Sequence, residues 1–220
     1  MFRIKICGVT TAEDAVACVD AGAGAIGLNF HAGSSRFVPI ERAAEVIAPI
    51  GRQAVKVGVF VNATADFVRH TCDRLSLDAV QLHGDEPPSF IAQLGARPVI
   101  RALGVGPGGL GPVLAYLDEC RALGALPAMV LLDSAAPGVY GGSGQTADWS
   151  VVARYPRDGS LPPLVLAGGL TAENVEAAIR AVRPAAVDVA SGVESAPGRK
   201  DAAKLSDFVR RARRAMEFVG

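Results

Sequence analysis

Residues Ala54–His83 read AVKVGVFVNATADFVRHTCDRLSLDAVQLH. An apolar, β-branched run (Ala54–Asn62) leads into a helical pattern (Thr64–Leu75) and then into a second apolar run (Asp78–His83). Such a stretch reads as strand, helix, strand. The alternation continues both ways along the chain. Further strands are expected at Phe2–Cys7, Ala25–Phe30, Pro98–Leu103, Ala128–Asp133, Leu164–Ala167 and Ala185–Ala190. Helical patterns lie near Thr11–Ala21, Ile40–Ile50, Pro87–Leu94, Pro112–Leu123, Ala147–Tyr155, Ala172–Val182 and Asp201–Phe218. Eight strands, each followed by a helix, is the count of a closed parallel barrel, so the expected class is α/β and the expected fold a (β/α)8 TIM barrel. An open doubly wound sheet would show fewer units and a single early glycine fingerprint. Connections are short, which predicts one domain over residues 1–220. The longest gap, Ser134–Thr146 after strand six, carries Gly-Gly-Ser-Gly and is a candidate lid.

Composition narrows the function classes. Lysine plus arginine equals aspartate plus glutamate, 22 each, which argues against nucleic acid or an anionic membrane as the main partner. The Arg210–Arg214 cluster reads as the solvated face of the last helix. No apolar run reaches the ~20 residues of a spanning helix, and no apolar leader precedes the first strand. The four cysteines (Cys7, Cys18, Cys72, Cys120) show no CxxC and are expected to be reduced thiols in a cytoplasmic protein. Three histidines, scattered without ligand spacing, predict no metal site. Without a long apolar surface stripe, a monomer is expected.

Side chains alternate faces along a strand. In strand three the valines at 55, 57, 59 and 61 oppose Lys56, Gly58, Phe60 and Asn62. Ile4 and Ile6 oppose Lys5 and Cys7; Val80 and Leu82 oppose Gln81 and His83; Val187 and Val189 oppose Asp188. If every aliphatic set faces the helices, then Lys5, Lys56, Arg101, Asp133 and Asp188 point at the barrel axis. Buried charges need partners, so these residues form a structural ion network or serve a ligand. In this fold, chemistry sits at the carboxyl ends of the strands.

Cys7 ends strand one. Thr10 and Glu13 have capping-box spacing, so a helix start and Lys5 would both favour a thiolate; a lone cysteine is equally readable as inert packing. Asp133 ends strand six, where desolvation could make it an acid, or it could merely cap a loop. Gly168-Gly169 after strand seven and Ser191-Gly192 after strand eight stand where phosphate is commonly bound. Arg36, past strand two, could hold a carboxylate through two hydrogen bonds or be a solvated loop residue. His83 ends strand four and suits hydrogen bonding to a substrate.

Several segments, in order, give the chain a strong resemblance to the phosphoribosylanthranilate isomerase family. They are Lys5–Gly8, Gly58–Asn62, Val80–Asp85, Leu131–Asp133, Tyr140–Gly144, Asp148-Trp149, Leu166–Leu170 and Val187–Glu194. They run from the first strand to the last, so the resemblance spans nearly the whole chain. The resemblance implies a cofactor-free Amadori rearrangement of a small phosphosugar–anthranilate substrate in tryptophan biosynthesis. It implies Asp133 as general acid and Cys7 as general base, with Arg36 on the anthranilate carboxylate. Gly168, Gly169, Ser191 and Gly192 would hold the phosphate, with Asp188 and His83 near the sugar or the amine. Two rivals share the barrel. A histidine-pathway isomerase acting on a related phosphoribosyl amine would be expected to carry aspartate in place of Cys7. Indole-glycerol-phosphate synthase would need a catalytic lysine and an added N-terminal segment. A non-catalytic phosphate sensor would have lost Cys7 or Asp133.

Overall fold

A computed structural model describes residues 2–133 and 149–218. Its strands are β1 (Ile4–Cys7), β2 (Ala25–Asn29), β3 (Val55–Phe60), β4 (Ala79–Leu82), β5 (Val99–Gly104), β6 (Met129–Asp133), β7 (Leu164–Leu166) and β8 (Ala186–Val189). They close into a parallel barrel in chain order, with Lys5 of β1 in register with Asp188 of β8. The helices are α1 (Ala12–Ala21), α2 (Ile40–Ile47), α3 (Ala65–Leu75), α4 (Pro88–Ala92), α5 (Gly111–Ala122), α6 (Trp149–Val152), α7 (Val175–Val182) and α8 (Ala202–Glu217). After β8, a short antiparallel hairpin, β9 (Glu194–Ala196) and β10 (Arg199–Lys200), precedes α8. The candidate lid Ser134–Thr146, the segment Tyr140–Gly144, Asp148 and the first residues of the predicted helix Ala147–Tyr155 lie outside the described residues.

Two apolar layers hold the barrel. Outside the strands, Ile6, Leu28, Phe60, Leu82, Leu132 and Val187 pack with helix residues such as Val68, Leu117, Ile179 and Phe208. Inside, Phe2, Ala25, Val57, Ala79, Ile100, Met129, Leu131, Val165 and Ala186 fill the lower barrel. Each fully buried aliphatic side chain contributes about 1.5–3 kcal/mol. The inner layer corrects the expectation for strand three. Val57 and Val59 point inward, and Phe60 packs in the outer layer. A parallel barrel is dry on both faces, so alternation alone does not say which face is which. Lys56 shares the outer face and is only half buried, so it does not reach the axis.

Arg101 is also outside the barrel, in register with Leu82 of the outer layer. Its guanidinium donates to Leu82 O (3.0 Å), Gly84 O (2.9 Å) and Glu86 Oε2 (3.0 Å), and lies 5.0 Å from the Tyr116 ring centroid. Glu86 accepts in turn from the backbone of Asn62 (2.7 Å) and Gly84 (2.9 Å), and Tyr116 donates to Glu86 O. This network ties the ends of β3 and β4 to α5 and fixes the turn that follows His83.

Helix starts differ in detail from the sequence reading. Thr11, not Thr10, caps α1 by accepting from Asp14 N, while Thr10 Oγ1 donates to Gly198 O. The α7 helix begins at Val175 rather than Ala172. Asn174 accepts from Thr171 N (2.8 Å) and donates to Gly169 O (2.9 Å), which folds the intervening residues into a turn.

Removing one partner of a buried pair leaves an uncompensated charge. Arg101→Met should therefore lower unfolding free energy by about 3–5 kcal/mol, and Arg101→Met with Glu86→Gln should recover a large part. Equilibrium urea unfolding measures both; equal losses in the single and double variants would contradict the pairing.

Candidate active site

Three local features shape the mouth of the barrel. First, β1 presents Lys5 and Cys7 on the inner face. Lys5 is fully buried and donates to Asp188 Oδ1 at 2.9 Å across the β1/β8 seam. Gly27, in register with Cys7, makes this possible: an added Cβ would lie 3.0 Å from Cys7 Sγ and 3.1 Å from Lys5 Nζ. Second, the loop after β2 is folded by Asn29, which accepts from His31 N and donates to Ser34 Oγ. Ser34 Oγ then accepts from Arg36 N, and the Arg36 stem lies over Gly8, where any Cβ would collide with it. Third, the turns after β7 and β8 touch. A Cβ on Gly192 would run into Leu170 O, so the second turn rests directly on the first.

The three features enclose one cavity at the barrel mouth. Its lining includes Cys7, Arg36, His83, Asp133, Gly168, Gly169, Asp188 and Ser191. Of the site residues expected from sequence, only Gly192 is outside this lining, packed behind it against Leu170. Its glycine identity is explained by that close approach. Among the described residues, no cluster of His, Cys, Asp and Glu could hold a metal.

Charge states follow from these surroundings. Burial pushes the Cys7 thiol above its ordinary value, against the pull of Lys5, and Asp188 adds to the rise. The expected depression is therefore not found. The helix expected to supply it starts at Ala12, and burial is the largest influence on the thiol. Burial alone would lower the Lys5 ammonium, yet Asp188 and then Cys7 outweigh it, so Lys5 is raised and charged. Burial drives His83 down to about 4, with Lys5 and Arg101 helping and Asp188 opposing, so its imidazole is neutral near pH 7. The Gln81 Nε2 amide, 3.2 Å from His83 Nδ1, donates to it, which leaves the ring proton on Nε2, facing Asp133. That gap, 3.9 Å to Asp133 Oδ2, is electrostatic rather than a hydrogen bond. Asp133 itself is 8% exposed at the end of β6.

Sequence reasoning left three contributors unassigned. Gln81 was visible only as the polar neighbour of His83. Glu194 stood at the end of a resembling segment without a role, and Lys200 had no local signal. Glu194 meets Arg36, and Lys200 meets Glu194, only because the hairpin folds back over the mouth. Together the site offers a thiol, a carboxyl, an arginine and two glycine turns around one space, which suits proton transfer on a small anionic ligand.

Comparison with known proteins agrees with this geometry. The family model for N-(5'phosphoribosyl)anthranilate (PRA) isomerase matches residues 4–211. An N-(5'-phosphoribosyl)anthranilate isomerase of Geobacter metallireducens is 47% identical over 214 residues, covering 97% of this chain and 100% of that protein. The crystal structure of phosphoribosyl anthranilate isomerase from Thermotoga maritima is similar at TM-score 0.85 and 38% identity, covering 97% and 99% of the two chains. Another solved isomerase of this kind, in complex with reduced 1-(o-carboxyphenylamino)-1-deoxyribulose 5-phosphate, has TM-score 0.79 and 38% identity at 97% and 99% coverage.

The His83 shift has a definite sign in stability. Above pH 6.5 neither folded nor unfolded state carries this charge. As pH falls, the unfolded chain binds the proton first, and the folded state refuses it until about 4. Stability should fall across that window by on the order of 2–3 kcal/mol from this group, and His83→Gln should remove that part of the slope. Guanidinium unfolding at a series of pH values checks it; identical slopes in both proteins would show that His83 titrates normally.

Proposed function

Because the chain belongs to the N-(5'-phosphoribosyl)anthranilate isomerase family, we propose that Cys7 and Asp133 are the groups that move protons in its reaction. The activity is isomerisation of N-(5'-phosphoribosyl)anthranilate, a step of tryptophan biosynthesis. It is an Amadori rearrangement that turns an aminoaldose into an aminoketose, 1-(2-carboxyphenylamino)-1-deoxyribulose 5-phosphate. C1 is reduced and C2 oxidised within one molecule, so the atoms and electrons balance without an external carrier.

In this reading Asp133, as a carboxylic acid, gives its proton to the furanose ring oxygen. The C1–O bond breaks and the nitrogen lone pair forms a C1=N iminium. The Cys7 thiolate then removes the C2 proton, and the released electrons form the C1=C2 bond of an enolamine while neutralising nitrogen. Tautomerisation gives the ketone. Arg36 binds the anthranilate carboxylate. The turns at Gly168-Gly169 and Ser191-Gly192 hold the phosphate through backbone N–H groups. Asp188 and neutral His83 contact the sugar or the amine.

The observation that carries the reading is that Cys7, Asp133, Arg36 and both turns line one cavity. The raised Cys7 thiol fits it too. With the cavity empty, burial keeps the proton on sulfur. The iminium brings a positive charge into the same space, and an opposite charge within about 4–6 Å favours the ionised form by ~1–3 pKa units. The thiol proton passes to the Asp133 carboxylate that ring opening has freed in the same cavity, so Cys7 becomes a base when there is a C2 proton to remove. Asp133 is 8% exposed on the wall of the same cavity, 3.9 Å from His83 Nε2.

The related histidine-pathway isomerase is not favoured by the family match. We also propose a cytoplasmic monomer. The four thiols are unpaired, as suits a reducing compartment. Exposed apolar side chains such as Val16, Phe67 and Leu126 sit on separate elements. A dimer in sedimentation velocity would overturn the monomer.

Cys7→Ala and Asp133→Asn should each reduce kcat at least about a hundredfold, with far-UV circular dichroism and unfolding midpoint preserved. The assay is the loss of substrate fluorescence. Turnover within a few-fold of wild type in either variant would remove that residue from the scheme.

A further inference from the structure

Arg36 does not face the cavity on the strength of its own loop. Its Nε donates to Glu194 Oε1 at 2.8 Å and its Nη2 to Glu194 Oε2 at 2.7 Å, a two-bond fork. The same Oε1 accepts from Lys200 Nζ at 2.8 Å. The remaining Lys200 protons go to Cys7 O at 2.7 Å and Ala190 O at 3.2 Å. Side-chain exposure is 16% for Arg36, 4% for Glu194 and 0% for Lys200. Burial alone would raise the Glu194 carboxyl, but hydrogen bonds from Arg36 and Lys200 outweigh it and hold it below the usual carboxylate range.

Two consequences follow from this geometry. With Nε and one Nη2 proton committed to Glu194, the Nη1/Nη2 edge of the guanidinium is left for a second carboxylate. The charges also count: two cations and one carboxylate leave a net charge of one positive unit. Arg36 with Glu194 alone would be a neutral pair, and a ligand carboxylate would then meet Glu194 repulsion with little net attraction. Lys200 supplies the missing charge from beneath, where no ligand reaches it.

We propose that Glu194 and Lys200 are positioning residues that make Arg36 the reader of the substrate carboxylate. Glu194 aims the free edge of the guanidinium, and Lys200 keeps the trio net positive. This rests on the reading of Arg36 as the carboxylate-binding group. It adds that preference for a carboxylate on the aryl ring is set by two residues that do not touch the ligand.

The test compares kcat/KM for N-(5'-phosphoribosyl)anthranilate with that for the corresponding aniline adduct, which lacks the carboxylate. General damage to the site or the fold affects both substrates, so the ratio isolates carboxylate recognition. Arg36→Met should lower the ratio at least about tenfold. Glu194→Gln, Glu194→Asp and Lys200→Met should each lower it at least about fivefold, mainly through KM for the anthranilate adduct. Glu194→Asp keeps the charge and withdraws the carboxylate by one methylene, so it decides the matter if either neutral variant fails to fold. If Arg36→Met leaves the ratio unchanged, the reading of Arg36 itself fails. If Arg36→Met lowers it while the Glu194 and Lys200 variants slow both substrates equally, the positioning proposal is overturned and their role is structural only.

Discussion

The buried ammonium of Lys5 organises the seam of this barrel. Lys5 is fully buried, and its ammonium bonds Asp188 across the seam where the last strand meets the first. Taking two charges out of water costs several kcal/mol per ion, which their attraction offsets only when the geometry is good. Such a pair is weak evidence for stability, since an apolar pair of similar volume often serves as well. What it secures is placement. The inner layer beneath it is built from small and aliphatic residues, and Gly27 leaves room for the ammonium beside the Cys7 sulfur. The charge state of the thiol is therefore tied to closure of the sheet.

The rest of the site is held in the same manner, by polar side chains that join segments far apart in sequence. Lys200 joins the ends of β1 and β8 and, through Glu194, the loop after β2. Arg101 and Glu86 fix the turn that carries His83. Asn174 fixes the Gly168-Gly169 turn. Each is buried or half buried, and each connects backbone groups at the carboxyl ends of strands. Rigid placement of this kind is what proton transfer needs, because errors of about 1 Å in a reacting group can cost on the order of a hundredfold in rate.

Much of this was legible in the sequence, and the remainder was hidden for physical reasons. Strands could be read because segments buried on both faces appear as apolar runs between turn residues, and all eight stand where those runs fall. Cys7, Asp133, His83 and Asp188 could be placed at the mouth because each ends a strand or nearly so. Which face of β3 points inward could not be read, since valines fill the interior as readily as the outer layer. Arg101 misled for the same reason: its partner Glu86 comes from the turn after β4 and sits outside the barrel. The α1 cap moved by one residue because Thr10 and Thr11 offer the same chemistry. The direction of the Cys7 shift was missed because desolvation, the largest contribution, is a property of packing. Lys200 gave no signal, since only the folded hairpin brings it to Glu194 beside the ends of β1 and β8.

Burial keeps the Cys7 thiol protonated, and Lys5 and Asp188 tune that charge state. The rate of Cys7 alkylation by iodoacetamide against pH reads that state directly, with the modified peptide identified by mass spectrometry. Cys18, Cys72 and Cys120 are buried and Cys7 is only partly so, which makes it the accessible thiol. The midpoint should lie above the ordinary thiol value of about 8.5, and should move higher still in Lys5→Met/Asp188→Asn, where the larger, lowering influence is lost with the smaller, raising one. A midpoint at or below the ordinary value, or one that the double replacement leaves in place, would contradict the account.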